Sequence, residues 1–203
     1  MGATATTIPE STRDKLLDAA IAVFREKGYD GTGVQEIARR AGLTTGAIYA
    51  NFRGKADLLF SAIGQRSGPE FDDLLRSNRV RVTAGELLAE LGSHLLDRDE
   101  PADRQGGLLI EAIVAARRDR DVGELVHDLI DQRLSAIARL VELARSEGDV
   151  DDDVSTDALT RFCLVLALGS LLYTSVGIDE PGEDEWALLI RRFVHSLKSK
   201  EDR

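Results

Sequence analysis

The stretch from Thr32 to Lys55 carries the side chains whose types and spacing best suit binding chemistry. It reads TGVQEIARRAGLTTGAIYANFRGK, with four basic side chains and one acidic side chain. Its second half presents small or hydrogen-bonding residues, none of them acidic: Thr45, Gly46, Ala47, Tyr49, Ala50 and Asn51. A neutral or basic surface of this kind fits the major groove of DNA, where base edges offer donors, acceptors and thymine methyl groups.

Two short helices must position these side chains. Val34, Ile37 and Ala38 recur at helical spacing and predict a first helix over about 34–41. A small side chain at Ala38 allows a second helix to cross closely. Gly42 supplies the backbone conformation of a tight turn. The pattern therefore predicts a helix that ends in a sharp change of direction.

The second short helix is predicted over about 45–52. Thr44 has the residue type that caps a helix start with its hydroxyl. Ile48 and Phe52 lie four residues apart and anchor one face of the helix to a core. Two short helices joined by a glycine-containing turn form a helix-turn-helix.

The rest of the chain also predicts helices, since runs of alternating apolar residues bounded by hairpin turns are missing. Ser11 and Asp14 predict a capping box that opens the first helix, and Gly28 predicts a left-handed stop at its end. A further helix begins near Lys55 and runs toward Arg66. Later helices are predicted at about 70–79, 83–97, 102–118, 121–147, 155–178 and 183–199. The fold class is all-α, with about nine helices.

The region from about Arg13 to Ile63 resembles the N-terminal domain of TetR/AcrR-type bacterial transcription regulators. The residues that carry the resemblance agree in type, order and spacing: Ala19-Ala20, Phe24, Gly28-Tyr29, Thr32, Val34, Ile37-Ala38, Ala41-Gly42-Leu43-Thr44, Gly46, Ile48-Tyr49, Asn51-Phe52, Lys55 and Leu58-Leu59. The resemblance implies a three-helix, helix-turn-helix DNA-binding domain over 11–55, after a loose tail over 1–10. It implies a ligand-binding and dimerisation domain over 56–203.

The resemblance also implies a division of labour among the side chains. Four residues would face the bases or the backbone beside them: Thr45, Gly46, Ala47 and Tyr49. Gln35 would reach a base edge or a phosphate, and Thr44, Asn51 and Lys55 would hold phosphates. Two alternatives stay open at this point: Tyr49 as a half-buried core residue, and Arg39 with Arg40 as a solvated helix face.

Two positions depart from the family pattern. Gly33 stands where members of the family often carry a serine or threonine, so a phosphate contact there falls to the backbone N–H or to Thr32. Ala50 is smaller than the bulky residue common at its position.

The body of such a regulator implies two further sets of residues. A dimer interface between two long C-terminal helices would use Leu166, Ser170, Trp186, Leu189, Ile190 and Phe193. A ligand pocket would use Leu87, Leu91, Leu109, Ile113 and Phe162. Packing within one subunit is the alternative for both sets. The implied partners are double-stranded DNA with a palindromic operator, a second copy of the chain and an unidentified small-molecule effector, with no cofactor and no metal.

The composition is that of a globular protein, with 203 residues, 43% hydrophobic, 31% charged and a net charge of −10. The charge divides unevenly, since residues 1–64 carry eight basic and seven acidic side chains and the remainder therefore carries −11. The single cysteine, Cys163, excludes an internal disulfide framework. A cytoplasmic location is consistent with this. The uncharged run 162–178 is shorter than a spanning helix and predicts a core or interface helix instead.

Two other functional classes compete with DNA binding. An enzyme is disfavoured because the chain has only three histidines and lacks a GxSxG, P-loop or GxGxxG motif. The acidic run at Asp149, Asp151 and Asp153 fails as a calcium loop, since Val154 stands where the glycine belongs, and it predicts a solvated loop. A TetR-like head that meets a protein partner is the second rival.

Overall fold

The computed structural model describes residues 11–64, 106–178 and 182–198. Eight helices lie within these residues, and no strand does. They are α1 (Thr12–Lys27), α2 (Val34–Arg40), α3 (Thr45–Asn51), α4 (described over 55–64), α5 (Gly106–Ala115), α6 (Arg120–Ser146), α7 (Thr156–Ser175) and α8 (Glu183–Ser196). The all-α prediction is confirmed. The helices predicted at 70–79 and 83–97 lie outside the described residues.

The first helix begins as predicted and ends differently. Ser11 Oγ accepts from the Asp14 N–H at 3.1 Å, and the Asp14 carboxylate accepts from the Ser11 N–H at 3.2 Å, so the capping box is confirmed. Gly28 has φ 69° but ψ 176°, which is not the left-handed helical stop that the sequence predicted. This region of backbone space is essentially restricted to glycine. The chain therefore leaves α1 in an extended direction, with Gly28 against Glu111 of α5.

One hydrophobic core joins the N-terminal helices to the start of the C-terminal part. We call residues 11–64 the head and the described residues from 106 onward the body. Leu58 and Leu59 of α4 are fully buried in the same cluster as the core of α1, α2 and α3. Residues Leu108, Ala112, Ala115 and Val122 from α5 and α6 belong to it as well. The core thus extends past residue 55, where the sequence suggested a domain boundary.

A second core lies between α6, α7 and the loop that joins them. Its buried residues are Ile137, Leu140, Val141, Ala144, Val150 and Leu159. Arg145 holds the loop, since its guanidinium donates to the carbonyls of Asp151 and Val154 at 2.9 and 2.6 Å. Asp149 is buried and pairs with Lys198 at 2.5 Å. This end of the acidic run is therefore an ion pair that ties the loop to the C-terminal end of α8, and not the solvated segment predicted.

The helix α7 is apolar but lies largely outside both cores. Its window Thr156–Tyr173 has a mean hydropathy of 1.3, yet only 11% of the window is buried. By length and composition alone this is the one helix of the described residues that could cross a membrane. Burial in the core of its own subunit, one of the two predicted explanations of this apolar run, is wrong for most of its surface.

Candidate nucleic-acid interface

The helix-turn-helix forms through backbone caps at each boundary. Gly33 caps α2 without a side-chain hydrogen bond. The positive φ of 68° at Gly42 lets the chain reverse, and the Leu43 N–H donates to the Ala38 carbonyl at 2.8 Å. Thr44 then caps α3, with its Oγ1 accepting from the Ala47 N–H at 3.3 Å. The predicted roles of Gly42 and Thr44 in the fold are confirmed.

The helix α3 is fixed by one face and exposed on the other. Ile48 and Phe52 are buried in the head core, as their spacing predicted. Tyr49, the next residue along from Ile48, is 61% exposed. The alternative of Tyr49 as a half-buried core residue is therefore wrong. The remaining predicted contact residues of α3 share this outer surface to different degrees: Gly46 and Asn51 are exposed, and Thr45 and Ala47 are half-buried.

Gly46 has room for a larger side chain within the protein. A Cβ at this position would lie 3.6 Å from Thr44 Oγ1, which is ordinary van der Waals contact. Its φ is not in the positive range. The fold of the head therefore does not require glycine here, and any need for it must come from something that approaches α3 from outside.

The three other predicted contact residues differ in how far their polar groups are already engaged. Gln35 is exposed on α2. One amide N–H of Asn51 donates to the Ala47 carbonyl at 2.8 Å, within α3. Lys55 is the most engaged, since its Nζ donates to the carbonyls of Tyr29 and Thr32 at 2.8 and 3.2 Å. The Lys55 ammonium also lies 4.0 Å from the centroid of the Tyr29 ring.

Ion pairs divide the basic residues of the head into two groups. Arg40 binds both carboxylate oxygens of Glu26, and this contact holds the pKa of Glu26 below its ordinary value. Lys27 lies 2.6 Å from Glu36 and lowers the pKa of that carboxyl in the same way. Arg39 is 76% exposed and lies 3.9 Å from Glu36, at the edge of ion-pair distance. A solvated helix face therefore describes Arg39, whereas Arg40 is an ion-pair partner of α1.

Arg13 is a further basic residue at this surface, and the sequence analysis missed it. Its guanidinium lies 5.1 Å from the centroid of the Phe52 ring, directly after the end of α3. Arg53 is exposed beside it, with its backbone N–H bound to Asp57 at 2.8 Å. Arg13 and Phe52 are far apart in the chain, so no local spacing could have paired them.

Thr32 does not replace the residue missing at position 33. It is only 4% exposed, and its hydroxyl donates to the Gly28 carbonyl at 2.6 Å. Of the two groups that the sequence offered for a phosphate contact here, only the backbone N–H of Gly33 lies at the surface.

The residues predicted for a ligand pocket are not brought together among the described residues. Leu87 and Leu91 lie outside them. Leu109 is half-buried on α5 and Ile113 is exposed there. Phe162 is exposed on α7, with its ring centroid 4.9 Å from that of Phe193 on α8. Phe162 therefore belongs to the contact between α7 and α8.

The residues predicted for a dimer interface fall into two groups. Leu189 is exposed on α8, and Leu166, Ser170, Trp186 and Phe193 are half-buried. Ile190 is only 6% exposed. Its side chain is already covered within its own subunit, so its inclusion in the interface set is wrong.

Comparison with known proteins places the head in a described family. The model of the bacterial regulatory proteins, tetR family, matches residues 16–62, which include all of α2 and α3. The regulator AcrR of Shigella flexneri is 35% identical over 106 residues, covering 51% of this chain and 48% of that protein. The repressor BepR of Brucella suis is 28% identical over 183 residues, covering 83% of this chain and 84% of that protein. This chain belongs to the TetR family.

The likeness of this TetR-family chain to solved structures extends over its whole length. The crystal structure of the regulator FadR of Bacillus subtilis in complex with stearoyl-CoA superposes with a TM-score of 0.71 at 19% identity. That match covers 91% of this chain and 98% of FadR, and it supports the all-helical fold. For three of the curated relatives the aligned part is less than half of the relative's length, at 48%, 28% and 39%. AcrR and BepR carry the names of transcriptional regulators, in agreement with the expectation that this TetR-family chain is not an enzyme.

Proposed function

We propose that the protein is a sequence-specific, DNA-binding transcriptional regulator that acts as a cytoplasmic homodimer. The observation that carries this proposal is the outer surface of α3, where Tyr49 is exposed while Ile48 and Phe52 bury the opposite face. A short helix anchored in this way projects its outer side chains without losing its place in the fold. Such a helix has the size and polarity to enter a major groove.

The outer residues of α3 divide into base-facing and phosphate-facing roles. Thr45, Gly46, Ala47 and Tyr49 read base edges or the backbone beside them, and Gln35 joins them from α2. Thr44 and Asn51 hold phosphates, together with the exposed arginines of the rim, Arg13, Arg39 and Arg53. Lys55 stays in the assigned set, but its ammonium is bound to two carbonyls, so it acts first by fixing the end of α3.

A second copy of the chain covers the exposed apolar surface of α7 and α8. That surface includes Val165, Leu172, Tyr173, Val176, Leu188 and Leu189. A membrane is a poorer occupant, because a spanning helix needs about 20 apolar residues and this window holds Asp157 and Arg161. A two-fold dimer also presents two α3 helices to one face of DNA. Half-sites about 34–36 Å apart would then form a palindromic operator.

A small-molecule effector releases the regulator from DNA, and BepR, a relative over most of the chain, is named as a repressor. FadR, which shares the fold, has been crystallised with stearoyl-CoA. Leu109 and Ile113 on α5 are the described residues proposed to contact an effector. Release follows when the ligand binds a differently spaced dimer more tightly than the DNA-bound one.

Selection from a random-sequence duplex library tests this proposal. The wild-type protein is expected to enrich one palindrome with two half-sites, and the Tyr49→Ala protein is expected to lose that enrichment while keeping its helical circular dichroism spectrum. Enrichment of no sequence, with no binding to any duplex at low salt, would overturn the proposal in favour of a protein partner for the head.

A further inference from the structure

The turn between α1 and α2 is bound to the junction between α5 and α6. Tyr29 lies in this turn and is 3% exposed. Its phenol Oη donates to Asp119 Oδ2 at 2.8 Å. Tyr29 belongs to the head and Asp119 stands directly before α6. A single hydrogen bond thus joins the DNA-binding part of the chain to the longest described helix of the body.

Asp119 uses its second oxygen to start that helix. Its Oδ1 accepts from the backbone N–H groups of Asp121 and Val122 at 3.0 and 3.2 Å. The Tyr29 hydrogen bond, followed by these cap hydrogen bonds, holds the pKa of Asp119 below its ordinary value. Burial, followed by the same carboxylate, raises the pKa of Tyr29. One ionised carboxylate therefore closes the first turn of α6 and holds the head at the same time.

Two further contacts surround this hydrogen bond. Arg118 pairs with Asp30 at 3.0 Å, one residue along from each partner of the hydrogen bond. On the other side, the carboxylate of Glu111 lies against Gly28, where a Cβ would approach Glu111 Oε1 to 2.5 Å. The turn 28–30 is thus in contact with the body at three consecutive residues.

Lys55 continues this set of contacts toward the recognition helix. Its ammonium packs on the Tyr29 ring and donates to the Tyr29 and Thr32 carbonyls. Lys55 stands at the start of α4, four residues after the end of α3. The turn 28–32 therefore lies between the first turn of α6 and the segment that fixes the end of α3.

We propose that the hydrogen bond from Tyr29 to Asp119 is a positioning contact for DNA binding, which couples the cap of α6 to the orientation of the head. This inference rests on the proposed function. Two heads can engage two half-sites at once only if each is held in a defined direction, and a head free to rotate must be ordered on binding. Coupling of this kind is reciprocal, so DNA that holds the head also stabilises the first turn of α6.

Tyr29→Phe removes the hydrogen bond and little else. The ring remains for its stacking on Phe24, at a centroid distance of 6.0 Å, and for the contact with Lys55. Thr32→Val is the matched control, since it also removes one buried hydroxyl from the same turn, but one whose partner, the Gly28 carbonyl, lies within the head. Asp119→Ser is a second variant that keeps a capping residue before α6 and is too short to reach Tyr29.

The measurement is hydrogen exchange at the amides of Asp121 and Val122, with and without the duplex that the wild-type protein enriches from a random library. The affinity for the same duplex is measured in parallel. In the wild-type protein and in Thr32→Val, DNA is expected to slow exchange at both amides. In Tyr29→Phe and Asp119→Ser this slowing is expected to disappear, and the affinity to fall by at least about fivefold, the lower end of typical coupling.

The outcomes separate this inference from the proposed function. If the wild-type protein binds DNA and exchange at the two amides responds equally in Tyr29→Phe, the contact is structural only and the inference is overturned. Loss of the DNA response in Thr32→Val would overturn it as well, because any weakening of the turn would then have the same effect. A wild-type protein that binds no duplex would overturn the proposed function, and this inference with it.

Discussion

Arg40 and Glu26 form two hydrogen bonds, of 2.5 and 2.8 Å, across the contact between α2 and α1. The neighbouring Arg39 points outward and only approaches Glu36. Two adjacent arginines therefore have different fates, which their sequence alone does not distinguish. The basic charge available to a phosphate backbone is smaller than the composition of the helix-turn-helix suggests.

The first prediction concerns the dependence of DNA affinity on salt. Removing one cationic side chain from a phosphate of B-DNA lowers the slope of log affinity against log salt by about 0.9, so Arg39→Gln is expected to lower it by about 2 in a dimer. Arg40→Gln is expected to leave the slope unchanged, because its guanidinium is held by Glu26. Fluorescence anisotropy at several salt concentrations measures both slopes. An equal decrease in the two variants would refute the division between these arginines.

The second prediction concerns Gly46. A Cβ fits here without a clash, and alanine is favoured over glycine in a helix by up to about 1 kcal/mol. Gly46→Ala is therefore expected to fold at least as stably as the wild-type protein. Its DNA affinity is expected to fall about tenfold or more, since one added methyl group stands between α3 and the groove. Thermal unfolding and anisotropy together check this, and unchanged affinity would mean that DNA does not approach Gly46 closely.

The third prediction separates the ring of Tyr49 from its hydroxyl. Since the side chain is exposed, both Tyr49→Phe and Tyr49→Ala are expected to change the free energy of unfolding by less than about 0.5 kcal/mol. Removing a side chain that binds a base or phosphate costs about 1–3 kcal/mol of binding, so Tyr49→Ala is expected to weaken binding about 5-fold to 150-fold. Tyr49→Phe reports the hydroxyl alone. If neither variant changes the affinity, Tyr49 is not part of the DNA site.

The sequence predicted the local features of the head well because neighbouring residues determine them. The capping box at Ser11, the turn at Gly42 and the cap at Thr44 each depend on groups within four residues. Residue spacing on one helix likewise predicted the buried face of α3. These parts of the fold and of the candidate site needed no knowledge of tertiary contacts.

The features that the sequence did not predict all depend on long-range contacts. Gly28 departs from a left-handed cap where Glu111 lies against it, and Arg13 reaches the surface of α3 only through its packing on Phe52. Lys55 has the residue type and position of a phosphate ligand, but two carbonyls of another turn bind its ammonium. Ile190 has the same apolar character as Leu189 next to it, and only the packing of α8 decides which one is buried.

The fourth prediction concerns the surface proposed for the second copy. Leu189→Lys places a charge on the exposed apolar side of α8 and is expected to convert the protein to a monomer without unfolding it. Leu143→Lys is the control, because Leu143 is exposed on α6, away from α8. Sedimentation velocity measures the mass of each. Two variants with the same mass as the wild-type protein would place the interface elsewhere.

The fifth prediction concerns the pH dependence of stability through Asp119. Its pKa is lowered in the folded state, so its contribution is present above the ordinary aspartate pKa of about 3.9 and is lost as the pH falls through the folded value. At pH 7 the wild-type protein is expected to be more stable than Tyr29→Phe by about 1.5–3 kcal/mol, as for a hydrogen bond to a charged group. That difference is expected to shrink below about pH 4. Urea unfolding from pH 7 to pH 3 measures it, and a difference that stays constant would contradict an ionised Asp119 as the acceptor.

The most direct test of the central claim is a titration of the protein with duplex DNA from immediately upstream of its own gene. Fluorescence anisotropy is recorded at several salt concentrations, in the presence of excess non-specific competitor, for the wild-type protein and for Gly46→Ala. The account predicts tight binding that survives competitor, weakens steeply with salt and is reduced by the added methyl group. Absence of binding at low salt, to this duplex and to random duplexes alike, would contradict it.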